Sequence, residues 1–291
     1  MKKWLSGMLS MALVLVLAGC GNSDKATANS TDGSSVAATS GGAINVVTRE
    51  EGSGTRAAFT EITKVKSDQG DGTTSSAIVQ NGTDQVLAYV AQDPKSIGYI
   101  SLGSLNDTVK ALKVDGVTPS EETVASGEYP LSRPFNLVHK KGQPLSELAT
   151  DFQQFILSKQ GQEIVKQAGY VPIAAKEDYQ GKDLKGQLNI SGSTSVGPVM
   201  EKLAEAYQKQ HANVKINITQ NGSGAGIQAA SEGSSDFGMA SRALAKDEED
   251  KLEATVIAND GIAVIVNKEN SATELKMDDL KAIYLGDKTS W

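Results

Sequence analysis

From residue 44 to the end of the chain, short apolar runs alternate with stretches of helical spacing. Residues 44–47 and 96–100 read as strands, and residues 188–190 as a strand running straight into Gly192-Ser193-Thr194-Ser195. Residues 214–218 alternate as a strand does, and residues 261–266 form a nearly continuous apolar run typical of a buried one. Between residues 148 and 168, Leu148, Phe152, Phe155, Ile156, Ile164 and Val165 fall at helical spacing and predict one long helix. Met200, Leu203, Ala204, Ala206 and Tyr207 predict another. Strands alternating with helices define an α/β protein. Residues 174–186 are polar and charged and read as a connector.

The first twenty residues follow a different pattern. Lys2 and Lys3 precede an almost wholly apolar run over residues 8–17, and Leu17-Ala18-Gly19 then leads into Cys20. That run is too short to span a hydrocarbon core of about 30 Å as a helix. It has the form of a lipoprotein signal peptide over residues 1–19, with Cys20 lipidated as the new N-terminus; the other reading is a secretory signal with a stray cysteine. Acylation by two or more chains, palmitate among them, anchors a protein stably where one chain does not. The expected location is therefore the extracytoplasmic face of the cell membrane. Residues 20–43 then form a Ser-, Gly-, Ala- and Thr-rich tether with nothing from which to build a core.

Composition narrows the function. The net charge is −7, and removal of the two leader lysines makes it −9, which argues against nucleic-acid binding. Any anion site must then be built locally, against the field of the whole molecule. Cys20 is the only cysteine, so neither an internal disulfide nor a cysteine-cluster metal site is available.

Three Gly/Ser/Thr-rich loops precede helical patterns: residues 49–56, beginning at Arg49; residues 191–196; and residues 221–226. The first N–H groups of a helix lack intrahelical partners, and the helix dipole places partial positive charge there. Glycine lets the backbone approach an anion, and Ser and Thr add hydroxyl donors. Helix capping alone accounts for any single loop. Three together, one carrying an arginine, predict a cradle for a tetrahedral oxyanion, each charge-assisted bond contributing roughly 1.5–3 kcal/mol.

Catalysis finds no support in the sequence. There is no Gly-x-Ser-x-Gly elbow and no Gly-x-x-x-x-Gly-Lys-Ser/Thr loop. The two histidines, His139 and His211, read as surface residues, and no metal cluster or activated nucleophile is evident. A surface phosphatase and an adhesive lipoprotein are the remaining alternatives to a binding protein. No enzyme activity, cofactor or metal is expected.

Six segments carry a family resemblance. They are Ile190-Ser191-Gly192-Ser193-Thr194-Ser195-Val196-Gly197-Pro198-Val199-Met200, Asp236-Phe237-Gly238-Met239-Ala240-Ser241-Arg242 and Asp260-Gly261-Ile262-Ala263-Val264-Ile265-Val266-Asn267, together with Val46-Val47-Thr48-Arg49-Glu50-Glu51-Gly52-Ser53-Gly54-Thr55-Arg56, Ile97-Gly98-Tyr99-Ile100 and Tyr129-Pro130-Leu131-Ser132-Arg133-Pro134. In these segments, which span almost all of residues 44–291, the chain resembles the phosphate-binding proteins of bacterial phosphate ABC importers. In the common family arrangement the Ser-Gly-Ser-Thr-Ser segment opens the domain, whereas here the Arg-Glu-Glu-Gly-Ser-Gly-Thr segment comes first. The resemblance therefore implies a circularly permuted order, with residues 174–186 joining the usual ends; a truncated tandem or a gene-model error would give the same order.

The implied fold is a class II periplasmic-binding-protein-like α/β fold with two lobes and the ligand cleft between them. One lobe is discontinuous, residues 44–130 plus 271–291, and the other continuous, residues 131–270, with crossings at residues 264–268 and 133–140. The implied ligand is inorganic phosphate, delivered by a monomer to the permease subunits of an ABC transporter; sulfate or molybdate is the alternative oxyanion. The implied contacts are Arg49, Ser53, Gly54, Thr55, Thr194, Ser195 and Ser223. One departure stands out, because many members carry an aspartate where this chain has Arg242. Asp260 is then the candidate acceptor for the proton of hydrogen phosphate, with Arg242 as an added donor or as its partner.

Overall fold

The computed structural model describes residues 42–175 and 177–291. The leader, Cys20 and nearly all of the tether lie outside the described residues. The strands that position the site are β1 (Asn45–Arg49), β2 (Ile78–Gln80), β3 (Ser96–Ser101), β4 (Ser132–Lys140), β5 (Val171–Pro172), β6 (Gly186–Gly192), β7 (Val214–Gln220), β8 (Phe237–Ala240) and β9 (Leu252–Asn267). The helices are α1 (Gly54–Ile62), α2 (Thr83–Gln92), α3 (Glu147–Leu157), α4 (Lys159–Gln167), α5 (Gly197–Gln210), α6 (Ser223–Glu232) and α7 (Met277–Leu285).

One curled sheet runs in the order β7-β6-β8-β4-β9-β3-β1-β2, with β5 and the short strand Val109–Ala111 also paired to β9. Its two ends are parallel, β6 with β7 and β8, and β1 with β2 and β3. Its middle is antiparallel, β8-β4-β9-β3. Each parallel end buries its apolar faces under helices, as parallel strands require. At one end Leu188, Ile190 and Phe237 pack with Phe152, Phe155, Leu203 and Tyr207. At the other, Val46, Ile97 and Tyr99 pack with Phe59, Leu280 and Tyr284.

Strand β9 feeds both cores. Ile257 and Ala258 belong to the first core, whereas Ile262, Val264 and Val266 belong to the second. Beside it, Leu131 lies in the second core and Phe135 in the first. The chain thus passes between cores at residues 258–262 and 131–135. Val264 and Val266, expected at a crossing, are already inside the second core.

Two elements differ from their sequence reading. The stretch 148–168 is two helices, because Ser158 ends one and caps the next, its Oγ accepting from the Gly161 amide at 3.2 Å. The smallness of Gly161 permits the break, since a Cβ there would lie 2.2 Å from the Phe155 carbonyl oxygen. His211 is not a surface residue. It is buried, stacks on Tyr207 at 4.2 Å and bonds the Tyr179 hydroxyl through Nε2 at 2.8 Å. Tyr179 belongs to the connector and also donates to buried Asp151, so this irregular segment is pinned onto the first core.

Candidate anion-binding site

Each of the three loops ends at a helix start, and all three meet. Ser53 is the N-cap of α1, its Oγ accepting from the Arg56 amide at 3.3 Å, so capping does occupy that hydroxyl. Gly222 precedes α6 at φ 94°, a conformation open to glycine, and no side chain caps that helix. The Ser193-Thr194-Ser195 turn leads into α5, with Ser193 Oγ accepting from the amides of Ser195 and Val196 at 3.2 and 3.3 Å.

Hydrogen bonds stitch the loops together across the two cores. Thr55 Oγ1 lies 2.9 Å from Ser195 Oγ, and the Gly224 amide donates to the Gly52 carbonyl at 2.9 Å. Gly54 sits so close to the third loop that a Cβ on it would lie 2.2 Å from Ser223 Oγ. Ser223 Oγ in turn accepts from the Ser241 amide at 3.1 Å and lies 3.3 Å from Ser241 Oγ. Thr55, Ser195 and Ser223 are fully or almost fully buried.

Arg49 closes the group from the end of β1 and is 1% exposed. Its Nε and Nη2 fork onto Glu50 at 2.8 and 2.7 Å, and Nη2 also donates to Thr194 Oγ1 at 3.0 Å. Thr83, at the start of α2, lies 3.3 Å from the same Thr194 oxygen. Arg49 Nη1 is buried and, among the described residues, has no hydrogen-bond partner. Such an orphaned donor on a buried cation is costly and marks a place where an anionic acceptor belongs. Burial opposes ionisation of Glu50, yet the Arg49 fork and the Gly82 amide outweigh it and hold the carboxyl below its ordinary range.

Asp260 and Arg242 are each held by a partner of their own. Asp260 faces Arg133 as its direct cross-strand partner between β9 and β4. Its Oδ2 accepts from Arg133 Nε and Nη2 at 3.0 and 2.9 Å, and its Oδ1 accepts from Ser101 Oγ at 2.8 Å. Burial pushes the Asp260 carboxyl up against the pull of Arg133 and Ser101. Arg242 does not pair with Asp260. It forks onto Glu248 at 2.6 and 2.8 Å and lines a groove of roughly 330 Å³ with Ser53, Arg56 and Lys66. Among the described residues no group of three or more His, Cys, Asp or Glu could hold a metal ion.

Sequence reasoning passed over Arg133, Thr83, Ser101 and Ser241. Arg133 and Ser241 stand inside segments that carried the resemblance, and their polarity beside apolar strands was the available signal. Thr83 and Ser101 carried none.

The PBP superfamily domain matches residues 21–160 and 178–291. The phosphate-binding protein PstS 2 of Streptococcus agalactiae is 46% identical, over 99% of this chain and 94% of that protein. The crystal structure of a phosphate ABC transporter phosphate-binding protein from Streptococcus pneumoniae superposes with TM-score 0.70 at 48% identity, covering 86% of this chain and 98% of that one. The phosphate-binding protein PstS of Staphylococcus haemolyticus is 43% identical, but over only 38% of this chain and 37% of its own length. The chain belongs to the PBP superfamily and, within it, to the PstS family.

Proposed function

We propose that this chain captures inorganic phosphate outside the cell and passes it to the permease subunits of an ABC transporter. The observation that carries the reading is the meeting of three helix-starting loops around a buried arginine with an unsatisfied Nη1. Thr194, Ser223 and Thr55 offer hydroxyls and amides, Ser195 offers its hydroxyl, Gly54 offers an amide and Arg49 offers Nη1, whereas the Ser53 and Ser195 amides are taken by the Glu50 carbonyl and Ser193 Oγ. The names of the streptococcal relatives support phosphate as the anion. Isothermal titration with phosphate, arsenate and sulfate tests this. Tight phosphate binding with sulfate excluded is expected, and heat with sulfate alone would select the other oxyanion.

The two cores act as lobes, residues 44–130 plus 271–291 and residues 131–270, that close on the anion about their crossing strands. Arg242 serves at the rim, since Glu248 holds it there. To accept a proton from phosphate, Asp260 would use a carboxylate that already takes hydrogen bonds from Arg133 Nε and Nη2 and from Ser101 Oγ.

The segment order is a cyclic rearrangement shared with the streptococcal proteins. Two observations support it. The match is end to end with the streptococcal protein but covers little more than a third of the staphylococcal one. A colinear comparison of cyclically reordered chains can follow only one side of the cut. The ends of the folded unit are also hydrogen-bonded to each other, the Ile44 amide to Thr289 and the Trp291 amide to Gly42. Cys20 carries lipid and holds a monomer at the membrane. Intact mass of the native protein checks both proposals, since a species without acyl chains would refute the anchor and a much larger chain would refute the rearrangement.

A further inference from the structure

Beneath the three loops lies a second buried guanidinium. Arg133 and Asp260 are 3% and 2% exposed, and both sit where the chain passes between cores. Arg133 spends Nε and Nη2 on Asp260, and its Nη1 donates to the Ser241 carbonyl at 3.2 Å. The Ser241 amide donates to Ser223 Oγ, and Ser223 belongs to the cradle. Only one residue therefore separates this guanidinium from the anion-facing hydroxyls. Burial drives the Arg133 pKa down, and the charge of Arg49 pushes it the same way, so the two guanidiniums lie within reach of each other's field.

Arg49 with Glu50 and Arg133 with Asp260 form two ion pairs at the site, so their charges balance. Asp260 both neutralises Arg133 and holds its fork toward β9. Without that carboxylate, Arg133 would be an uncompensated buried cation, a condition that is strongly unfavourable and that an incoming anion would relieve.

We propose that Asp260 is a positioning residue that sets anion affinity: it withholds Arg133 from the bound oxyanion, keeping the cradle near neutrality so that the anion can be released. This rests on the oxyanion-binding function proposed above. It differs from a role for Asp260 as direct acceptor of a phosphate proton, because the two predict opposite effects on phosphate.

The test is isothermal titration of the wild-type protein and of Asp260→Asn with phosphate and with sulfate. In the variant both anions are expected to bind about tenfold more tightly or better, the scale on which a newly uncompensated buried charge acts. A defect of packing alone would weaken binding, not tighten it. Weaker phosphate with tighter sulfate would overturn the proposal in favour of the direct acceptor, and weaker binding of both would overturn it in favour of a packing role. Arg133→Met/Asp260→Leu removes both charges and is expected to leave the gain absent; a gain there would refute the role of Arg133. If Asp260→Asn does not fold, Ser101→Ala carries the test. It loosens the carboxylate while leaving both charges, and should tighten both anions by a smaller factor; unchanged affinities would overturn the proposal. A wild-type protein that binds neither anion would instead refute the underlying function.

Discussion

Arg49 concentrates the chemistry of the cradle in one side chain, and its geometry sets what a substitution does. The planar fork reaches Glu50 through Nε and Nη2 while Nη2 spans the cores to Thr194. A lysine keeps the charge but has neither the fork nor the second nitrogen. Arg49→Lys should weaken phosphate binding by about 2–3 kcal/mol with little change in melting temperature, read by titration beside calorimetry. Glu50 adds a pH dependence. Its folded pKa lies below the ordinary 4.5, so its contribution to stability is present above that value. It is lost as pH falls through the folded pKa. Acid unfolding followed by circular dichroism should therefore show a shallower decline in Glu50→Gln than in the wild type.

Legibility differs sharply among these residues. Arg49, Thr194 and Ser223 could be found because each stands in a Gly/Ser-rich loop before a helical pattern, a local signal. The Arg133–Asp260 pair could not. Its members are 127 positions apart in sequence and meet only through the β4–β9 register. Neither residue carries a neighbouring motif that announces the other. Arg242 shows the converse, since its partner Glu248 lies six residues on and the nearer carboxylate won.

At the scale of elements, periodicity located the strands and helices but not where they stop. The apolar run 261–266 reads as one buried strand, yet β9 begins nine residues earlier at Leu252. Its first part, residues 253–256, lies largely outside the core and includes Glu253 and Thr255, which dilute the apolar signal. The split of residues 148–168 was hidden for a related reason. Both helices bury apolar faces in one core, so spacing alone runs on across Ser158. Ser158 makes a specific prediction possible. Removing its hydroxyl in Ser158→Ala takes away the cap on α4 and should cost about 1 kcal/mol, read from the urea midpoint at unchanged slope. Phosphate affinity should not move, because the Ser158 hydroxyl bonds only Phe155 and Gly161 and none of the three loops.

For the whole molecule, the α/β class and the two-core plan followed from alternation of strand and helix and from the resemblance. The position of the passage between cores did not, because Asn259-Asp260-Gly261, which interrupt the apolar pattern there, read equally well as a turn. The proposed closure predicts a smaller radius of gyration with saturating phosphate than without it, measured by X-ray scattering. Equal radii would mean that the cores keep a fixed relation.

The strands that join the two cores are not separate threads. β4 and β9 lie side by side through the passage, and β5 is laid against β9 at Ala258 and Asn259. Backbone hydrogen bonds make them a ribbon, and a ribbon flexes readily across its flat face but resists shear in its plane. Under the proposed closure, successive cycles of capture and release would follow nearly one arc, bringing Thr55 to Ser195 and Gly52 to Gly224 at the same offset each time.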